Sequence, residues 1–360
     1  MANIISIGTA VPAHCHSQND ILRFMQKAYK LNEADARKLS FLYRQSEIQK
    51  RYSVIGDFAK PDNEWKFVQL NGQRNPCLNE RLKIFDEHAL PLSLNAIDNC
   101  LAGVIEAKQI THLITVSCTG MTAPGLDLQI AEALDLSPNV FRTSVNFMGC
   151  YAAIHALKIA KMICDTTEDA NVVIVCTELC TVHFQQDYTQ DNAASSLLFG
   201  DGSAAVLVSN NIQSSNALVL KSFHSQVSYK GKSDMSWQLS NEGFLMTLSA
   251  YVPQLIQEDI DCFAHQALQS ANITKEEISH WCIHPGGKKI LEVIQAKLNL
   301  TENDMARSRK VLSEFGNMSS PTILFVLKEI MNSPDTPTKN VFGVAFGPGL
   351  TMETFIASKA

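Results

Sequence analysis

Short apolar runs with the composition of β-strands recur along the chain, and stretches with helical periodicity separate them. The runs are rich in Val and Ile and are bounded by Gly, Ser or Asn: Ile4–Ile7, His112–Val116, Val172–Cys176, Ala204–Val208, Trp281–Ile283 and Val341–Val344. Amphipathic patterns predict helices over Leu92–Ala107, Leu126–Leu136, Tyr151–Ile163, Tyr251–Ser270 and Pro321–Met331. This alternation predicts an α/β fold in which helices cover mostly parallel sheets.

The length of the chain indicates two units packed together. Its 360 residues, of which 46% are hydrophobic, exceed what one small core usually contains. The Asn- and Ser-rich stretch Asn210–Leu218 is the best candidate for a boundary between them. We therefore divide the chain into residues 1–210 and 211–360, and we expect each half to contain strand–helix units in a similar order.

Charge and cysteine usage narrow the class of protein. A net charge of −6 without a basic stripe argues against a nucleic-acid partner. The N-terminus lacks a signal peptide pattern, and no apolar run approaches the roughly 20 residues of a membrane span. The ten cysteines are scattered without a Cys-x-x-Cys pair, which argues against a metal site and a disulfide framework. These features predict a cytoplasmic protein without a bound metal.

A reactive cysteine is suggested by Asn146-Phe-Met-Gly-Cys150, which directly precedes a helical pattern. Gly149 permits a tight turn from strand to helix. Cys150 would then lie at a helix N-terminus, where the macrodipole favours the thiolate. We therefore expect the pKa of Cys150 to lie below the ordinary value of about 8.5. A small buried thiol is the alternative.

Two further segments carry polar groups that could act with this cysteine. His284 ends an apolar strand and is followed by Pro-Gly-Gly, which places it at a strand end, where open α/β sheets bind ligands. Asn317, in Glu-Phe-Gly-Asn-Met-Ser-Ser-Pro, precedes a helix start. Each segment alone has an ordinary structural explanation, as a hydrogen-bonded histidine or a turn residue.

Taken together, the three residues indicate which reactions the site could carry out. A thiolate can accept an acyl group, while a neutral imidazole and an amide can both donate hydrogen bonds to a thioester carbonyl. Such a set suits an enolate formed by decarboxylation of a malonyl thioester. A Cys–His–Asn protease uses the same residue types, so residue identity alone leaves both chemistries open.

Motifs along almost the whole chain resemble those of type III polyketide synthases, the chalcone synthase-like family of the thiolase superfamily. They are Ile5-Ser-Ile-Gly-Thr-Ala-Val-Pro, Ile110-Thr-His-Leu-Ile, Gly149-Cys150, Leu198-Phe-Gly-Asp-Gly, His284-Pro-Gly-Gly, Gly316-Asn-Met-Ser-Ser and Phe346-Gly-Pro-Gly-Leu-Thr-Met-Glu-Thr. The resemblance implies a thiolase-like αβαβα layered fold made of two similar halves. The compact core and Ala345 are similar to bacterial members, so we expect a bacterial-type protein.

The resemblance also implies roles. Cys150 would carry the acyl group, His284 would keep it ionised and bind the thioester carbonyl, and Asn317 would join His284 in decarboxylation. The substrate wall would include positions at which this chain matches or departs from the plant enzymes: Phe199 and Met246 at the gate, Trp237 where Gly is frequent, Cys118, Cys180 and His183 where Thr is frequent, and Ser319, Gly347, Pro348 and Gly349. Lys38 would face the phosphates of coenzyme A.

The expected activity is iterative condensation of malonyl-CoA onto an acyl-CoA starter, followed by cyclisation to a pyrone, resorcinol or phloroglucinol-type product. CoA thioesters would be substrates and no cofactor would be bound. By resemblance the protein would form a homodimer. A single-condensation β-ketoacyl synthase fed by a carrier protein is the alternative, with Lys288 and Lys289 as a basic docking spot. A third hypothesis is a catalytically silent acyl-binding scaffold, which the intact Cys, His and Asn set disfavours.

Overall fold

The structure, a computed structural model, describes residues 1–68, 75–333 and 338–359. Over these ranges the strands are β1 (Asn3–Ala10), β2 (His14–Ser17), β3 (Lys50–Ser53), β4 (His112–Ser117), β5 (Phe141–Asn146), β6 (Asn171–Leu179), β7 (Asp201–Ser209), β8 (Leu218–Val227), β9 (Met235–Ser240), β10 (Gly243–Leu248), β11 (Ile278–Ile283), β12 (Asn340–Gly347) and β13 (Thr351–Lys359). The helices are α1 (Gln18–Ala28), α2 (Glu33–Gln45), α3 (Leu78–Leu101), α4 (Leu126–Ala133), α5 (Ala152–Thr166), α6 (Gln190–Leu198), α7 (Val252–Ser270), α8 (Lys288–Lys297), α9 (Glu302–Phe315) and α10 (Thr322–Met331).

The main sheet repeats one strand order. In the described residues nine strands are hydrogen-bonded in the order β11-β12-β13-β8-β1-β7-β6-β4-β5. In the first half, β1 pairs with β7 and β7 with β6, both antiparallel. β6 then pairs with β4 and β4 with β5, both parallel. In the second half, β8 pairs with β13 and β13 with β12, both antiparallel. β12 then pairs with β11 in parallel. The two halves of the chain therefore share a topology, and β1 and β8 join them.

Two buried helices form the central layer. α5 begins Ala-Ala-Ile-His-Ala-Leu, and its small apolar side chains allow close packing against strands. α10 is buried on most of its surface, and both helices belong to one hydrophobic cluster with strands of both halves. α3 and α4 cover the outer face of the first half, while α7, α8 and α9 cover that of the second. The result is the predicted αβαβα layering.

The predicted strands all coincide with observed ones, whereas one helix was placed wrongly. The helix predicted over Leu92–Ala107 begins at Leu78 and ends at Leu101. Pro91 lies inside this helix, although proline lacks a backbone N–H and is usually confined to the first turn. Here α3 continues through it. The division predicted between residues 210 and 211 falls in the connection from β7 to β8 and stays a prediction.

Candidate active site

The carboxyl ends of the parallel strands of both halves open onto one cavity. Cys118 follows β4, Cys180 follows β6 and His284 follows β11, so the sheet topology brings distant segments together. The cavity has a volume of about 1130 Å³, including the part open to solvent. Most of the predicted site residues line it: Cys118, Cys150, Cys180, His183, Phe199, Trp237, Met246, His284, Asn317, Ser319 and Pro348.

The turn that carries Cys150 depends on glycine. Gly149 has φ of +82°, a conformation that residues with a Cβ rarely adopt. A Cβ at this position would also overlap the Pro348 ring. The Gly149 N–H donates to the Cys118 sulfur at 3.1 Å. The loop between β5 and α5 is thus held from two sides, with Cys150 two residues ahead of the helix.

The orientation of the Asn317 amide follows from its neighbours. Its Oδ1 accepts a hydrogen bond from the Ser319 backbone N–H at 2.8 Å, so Nδ2 is the amide donor that faces Cys150. Nδ2 lies 3.9 Å from the Cys150 Sγ. An N–H donor therefore faces the thiol.

His284 is almost completely buried, with 1% of its surface exposed. Its backbone N–H donates to the Val344 carbonyl at 2.9 Å, which fixes the end of β11 against β12. In the part of the chain that the structure describes, neither ring nitrogen has a hydrogen-bond partner. Burial lowers the pKa of His284 to about 3, so the imidazole is neutral near pH 7. A neutral ring can donate a hydrogen bond without protonating a neighbouring oxyanion.

The expected low pKa of Cys150 is wrong. Burial raises the pKa of this thiol to about 11, and the Glu178 carboxylate adds to the effect. Hydrogen bonds from Ser319 and Asn317 oppose it without reversing it. Desolvation of the charged sulfur therefore outweighs the favourable helix terminus, and the resting cavity contains a thiol beside a neutral imidazole.

Glu178 holds two segments of the site together, and it was not among the residues predicted from the sequence. Its carboxylate accepts from the Cys118 N–H, the Thr119 hydroxyl and the Ser320 hydroxyl, each at 2.8 Å. It thereby ties the loop after β4 to the segment that carries Asn317. Burial raises its pKa. An acidic residue inside the otherwise apolar β6 was the available signal, because such residues are rarely buried without partners.

An aromatic cluster forms one wall of the cavity. The Trp237 indole N–H donates to the Cys118 carbonyl at 2.6 Å. His183 stacks on Phe244 with ring centroids 4.2 Å apart, and both rings meet Trp237 edge-on. His183 Nε2 donates to the Thr119 carbonyl at 2.7 Å, while Nδ1 accepts from the Phe244 N–H at 3.2 Å. Trp237 is therefore held rigidly at the cavity surface.

Apolar side chains form a further part of the wall. Met246 pairs directly with Trp237 across the β9–β10 hairpin and shares a face with the previously unrecognised Phe244, as the two-residue strand period requires. The cavity also reaches Met25, Phe58 and Phe184. These three pack in the first half's hydrophobic core, and nothing in the sequence distinguishes them from ordinary core residues.

Lys38, Gly347 and Gly349 are not among the residues that line the cavity, and the roles expected for them stay predictions. Lys38 is on α2, with 72% of its side chain exposed, and pairs with Asp35 at 3.1 Å. Gly347 packs against the Tyr151 ring, which a Cβ would approach to 2.5 Å. Of this loop, Pro348 alone among the three predicted residues reaches the cavity.

Over residues 1–68, 75–333 and 338–359, no cluster of three or more His, Cys, Asp or Glu side chains is arranged to hold a metal ion. No helix within these ranges is long and apolar enough to cross a membrane.

The strand order of the first half of the main sheet is repeated in the second half, around the buried helices α5 and α10, and the site lies between the halves. This arrangement defines the thiolase-like class of fold. The N-terminal and C-terminal domains of chalcone and stilbene synthases match residues 1–211 and 220–359. The chain belongs to this family, whose members are type III polyketide synthases, an acyltransferase class of enzyme.

Similar proteins come from several eukaryotic sources. Probable polyketide synthase 1 of Dictyostelium discoideum is 29% identical over 97% of this chain, which spans 11% of that relative's length. The C-terminal type III polyketide synthase domain of Steely1, a type I/III hybrid from Dictyostelium, is 27% identical with a TM-score of 0.92, and 99% of each chain is covered. PKS-I of the brown alga Ectocarpus siliculosus is 28% identical with a TM-score of 0.89, over 99% of this chain and 98% of that one.

The expectation of a bacterial-type member is not confirmed. The relatives just named are from Dictyostelium and a brown alga. Ala345 lies inside β12 with no exposed surface, so packing within the sheet explains a small residue there without reference to source.

The raised pKa of Cys150 predicts how it reacts with iodoacetamide. Because only the thiolate is alkylated, the rate at Cys150 should rise about tenfold between pH 8.5 and 9.5. Peptide mass spectrometry after brief labelling measures this rate, with exposed Cys262 as a reference in the same sample. A Cys150 rate that levels off below pH 9 would show that the thiolate is already stable in the free protein.

Proposed function

We propose that this chain condenses malonyl-CoA iteratively onto an acyl group held by Cys150. The observation that carries the proposal is the convergence of Cys150, His284 and Asn317 on one cavity, although Cys150 is more than 130 residues before the other two. The family relationship supports the reaction class. The residues' hydrogen-bonding capacity, derived above, supports their individual roles.

Acylation begins with attack of the Cys150 sulfur on the thioester carbonyl of an acyl-CoA starter. The thiol proton passes to His284 as the C–S bond forms, so the oxyanion of the tetrahedral intermediate and the imidazolium arise together and the cavity never contains one uncompensated charge. The imidazolium then gives the proton to the departing coenzyme A sulfur. The acyl group remains on Cys150 and the imidazole is neutral again.

Extension uses the neutral imidazole and the Asn317 amide. Both donate to the thioester oxygen of malonyl-CoA while its carboxyl carbon leaves as carbon dioxide. The electron pair of the broken C–C bond forms an enolate, which these hydrogen bonds stabilise more strongly in a poorly solvated site than in water. The enolate carbon attacks the acyl group on Cys150, and the sulfur leaves as the new C–C bond forms.

The cavity wall supports an aliphatic starter. Met25, Phe58 and Phe184 offer apolar surface to a hydrocarbon chain, and Met246 has a flexible side chain that can adapt to it. Trp237 removes space opposite and is fixed by its hydrogen bond to Cys118. We therefore propose few extensions, ending in a pyrone, resorcinol or phloroglucinol-type ring.

The carrier-protein alternative gains no support from Lys288 and Lys289. Lys288 pairs with Glu47 at 3.3 Å, and Lys289 pairs with Glu292 at 3.3 Å. Their charges are thus neutralised locally, and the spot lacks the excess positive charge that an acidic carrier protein would need.

A homodimer is the proposed assembly. β5 forms one end of the main sheet, and among the described strands its outer edge is unpaired. Phe141 on this strand has 59% of its surface exposed. Unpaired edges with apolar side chains favour pairing with another chain, and a two-fold axis would satisfy both copies equally.

Substitution of the three central residues tests the chemistry. Cys150→Ala should abolish product formation, because no group remains to hold the acyl chain. His284→Ala and Asn317→Ala should each lower malonyl-CoA decarboxylation by about 10², measured as carbon dioxide release. Asn317→Ala should still be acylated on Cys150 by an acyl-CoA. Normal product from Cys150→Ala would refute the proposal.

The size of the cavity is tested at Trp237. Trp237→Gly should admit longer starters or give longer products, because an indole is removed from a close-packed wall, while carbon dioxide release from malonyl-CoA stays close to wild type. Leu239→Gly is the matched control, since Leu239 is on the same strand with 64% exposure. Mass spectrometry of products distinguishes them. An unchanged distribution in folded Trp237→Gly would exclude Trp237 as the limit.

The assembly is tested by light scattering at micromolar concentration. The wild type should have the mass of a dimer, and Phe141→Asp should shift it toward monomer, because a charge would be desolvated at the paired edge. Leu239→Asp, an equally exposed site away from β5, should leave the mass unchanged. A monomeric wild type would contradict the proposed assembly.

A further inference from the structure

The C-terminal end of α6 lies against the segment that carries Asn317. A helix leaves its last four carbonyl groups without partners inside the helix. In α6 the final intrahelical bond runs from the Phe199 N–H to the Ser195 carbonyl at 3.1 Å. The carbonyls of residues 196–199 therefore need donors from elsewhere.

One of these donors is the backbone of Asn317. Its N–H donates to the Leu198 carbonyl at 2.9 Å, and its own carbonyl accepts from the Gly200 N–H at 3.0 Å. The backbone on both sides of the catalytic amide is thus registered against the end of α6. Any displacement of that helix end would move Asn317 relative to Cys150.

The other three carbonyls are held by side chains from the first 51 residues. Tyr43 donates to the Ser196 carbonyl at 3.0 Å and Gln18 to the Leu197 carbonyl at 3.0 Å. Arg51 Nη1 donates to the Phe199 carbonyl at 2.5 Å. The three donors, which we call the helix-end clamp, are all buried.

Arg51 is the centre of the clamp. Its Nε donates to Gln18 Oε1 at 3.0 Å, which orients the Gln18 amide toward Leu197. Its positive charge lies at a helix C-terminus, where the macrodipole favours a cation. Its stem fills the space beside Gly316, where a Cβ would come within 2.7 Å of Arg51 Cδ. Arg51 therefore contacts both strands of the Phe199–Asn317 bridge.

We infer that Arg51, with Gln18, is a positioning residue for decarboxylation, acting through the end of α6 on Asn317. The inference rests on the proposed role of Asn317. Arg51 also lines the cavity, but its hydrogen bonds run to Gln18 and to the Phe199 carbonyl, so the inferred role is to position Asn317 and not to bind substrate. Because acylation of Cys150 does not use the Asn317 amide, loss of the clamp should affect the two half-reactions unequally.

The experiment measures both half-reactions in the full chain: carbon dioxide release from malonyl-CoA, and acylation of Cys150 by an acyl-CoA, followed by intact-protein mass spectrometry. Arg51→Met should lower the first by about 10- to 100-fold, as expected for a misplaced catalytic group, and the second by no more than about threefold. Arg51→Lys should lie between, because it keeps the charge but cannot donate to Gln18 and Phe199 together. Arg44→Met is the control, since Arg44 is exposed and donates within α2.

Other outcomes show whether the inference or the proposed function is wrong. Equal loss of both half-reactions, or no loss in Arg51→Met, would overturn the inference. Undiminished carbon dioxide release in Asn317→Ala would instead overturn the proposed function on which it rests. Should Arg51→Met fail to fold by circular dichroism, Gln18→Leu decides: selective loss of decarboxylation supports the clamp, and wild-type or equally reduced rates refute it.

Discussion

Burial of α5 and α10 in one hydrophobic layer between the two halves is the constraint on which the site depends. Both helices pack into a cluster that includes strands of each half. Cys150 precedes the first turn of α5, and Asn317 lies five residues before α10. Because neither helix can move without opening this layer, the close-packed core fixes the thiol and the amide relative to each other. His284 is added by β11, whose end is registered against β12.

The same burial determines the charge state of the site. Removing water penalises the thiolate and the imidazolium separately, so Cys150 and His284 both rest neutral. A site of this kind is poorly suited to a free thiolate but well suited to a transient pair and to an enolate held by neutral donors. The neutral state of Cys150 and His284 and the close packing around them therefore both follow from the exclusion of water between the two halves.

Two sets of polar groups inside this core are tolerated because they have hydrogen-bond partners. The Glu178 carboxylate accepts three hydrogen bonds of 2.8 Å from two loops, and the carbonyls that end α6 are taken up by Tyr43, Gln18 and Arg51. Buried polar groups that are satisfied in this way specify a single arrangement. They locate the loops that the apolar core leaves undetermined, and those loops carry the reacting groups.

The amino-acid sequence determined the class of fold, because apolar runs of strand length and helical periodicity are local properties, and β1, β4, β6, β7, β11 and β12 were all visible in it. It also singled out Cys150, His284 and Asn317, since each follows or precedes a Gly-containing turn at the end of an element. It could not show that α3 passes through Pro91, because tertiary packing there overrides the local preference. Nor could it identify Met25, Phe58 or Phe244, which resemble core residues until the halves are assembled; for Glu178 the signal, an acidic residue in a buried strand, was present. Only the tertiary structure decided the charge of Cys150, since burial depends on segments far away in the chain, and the same is true of the donors that reach the end of α6.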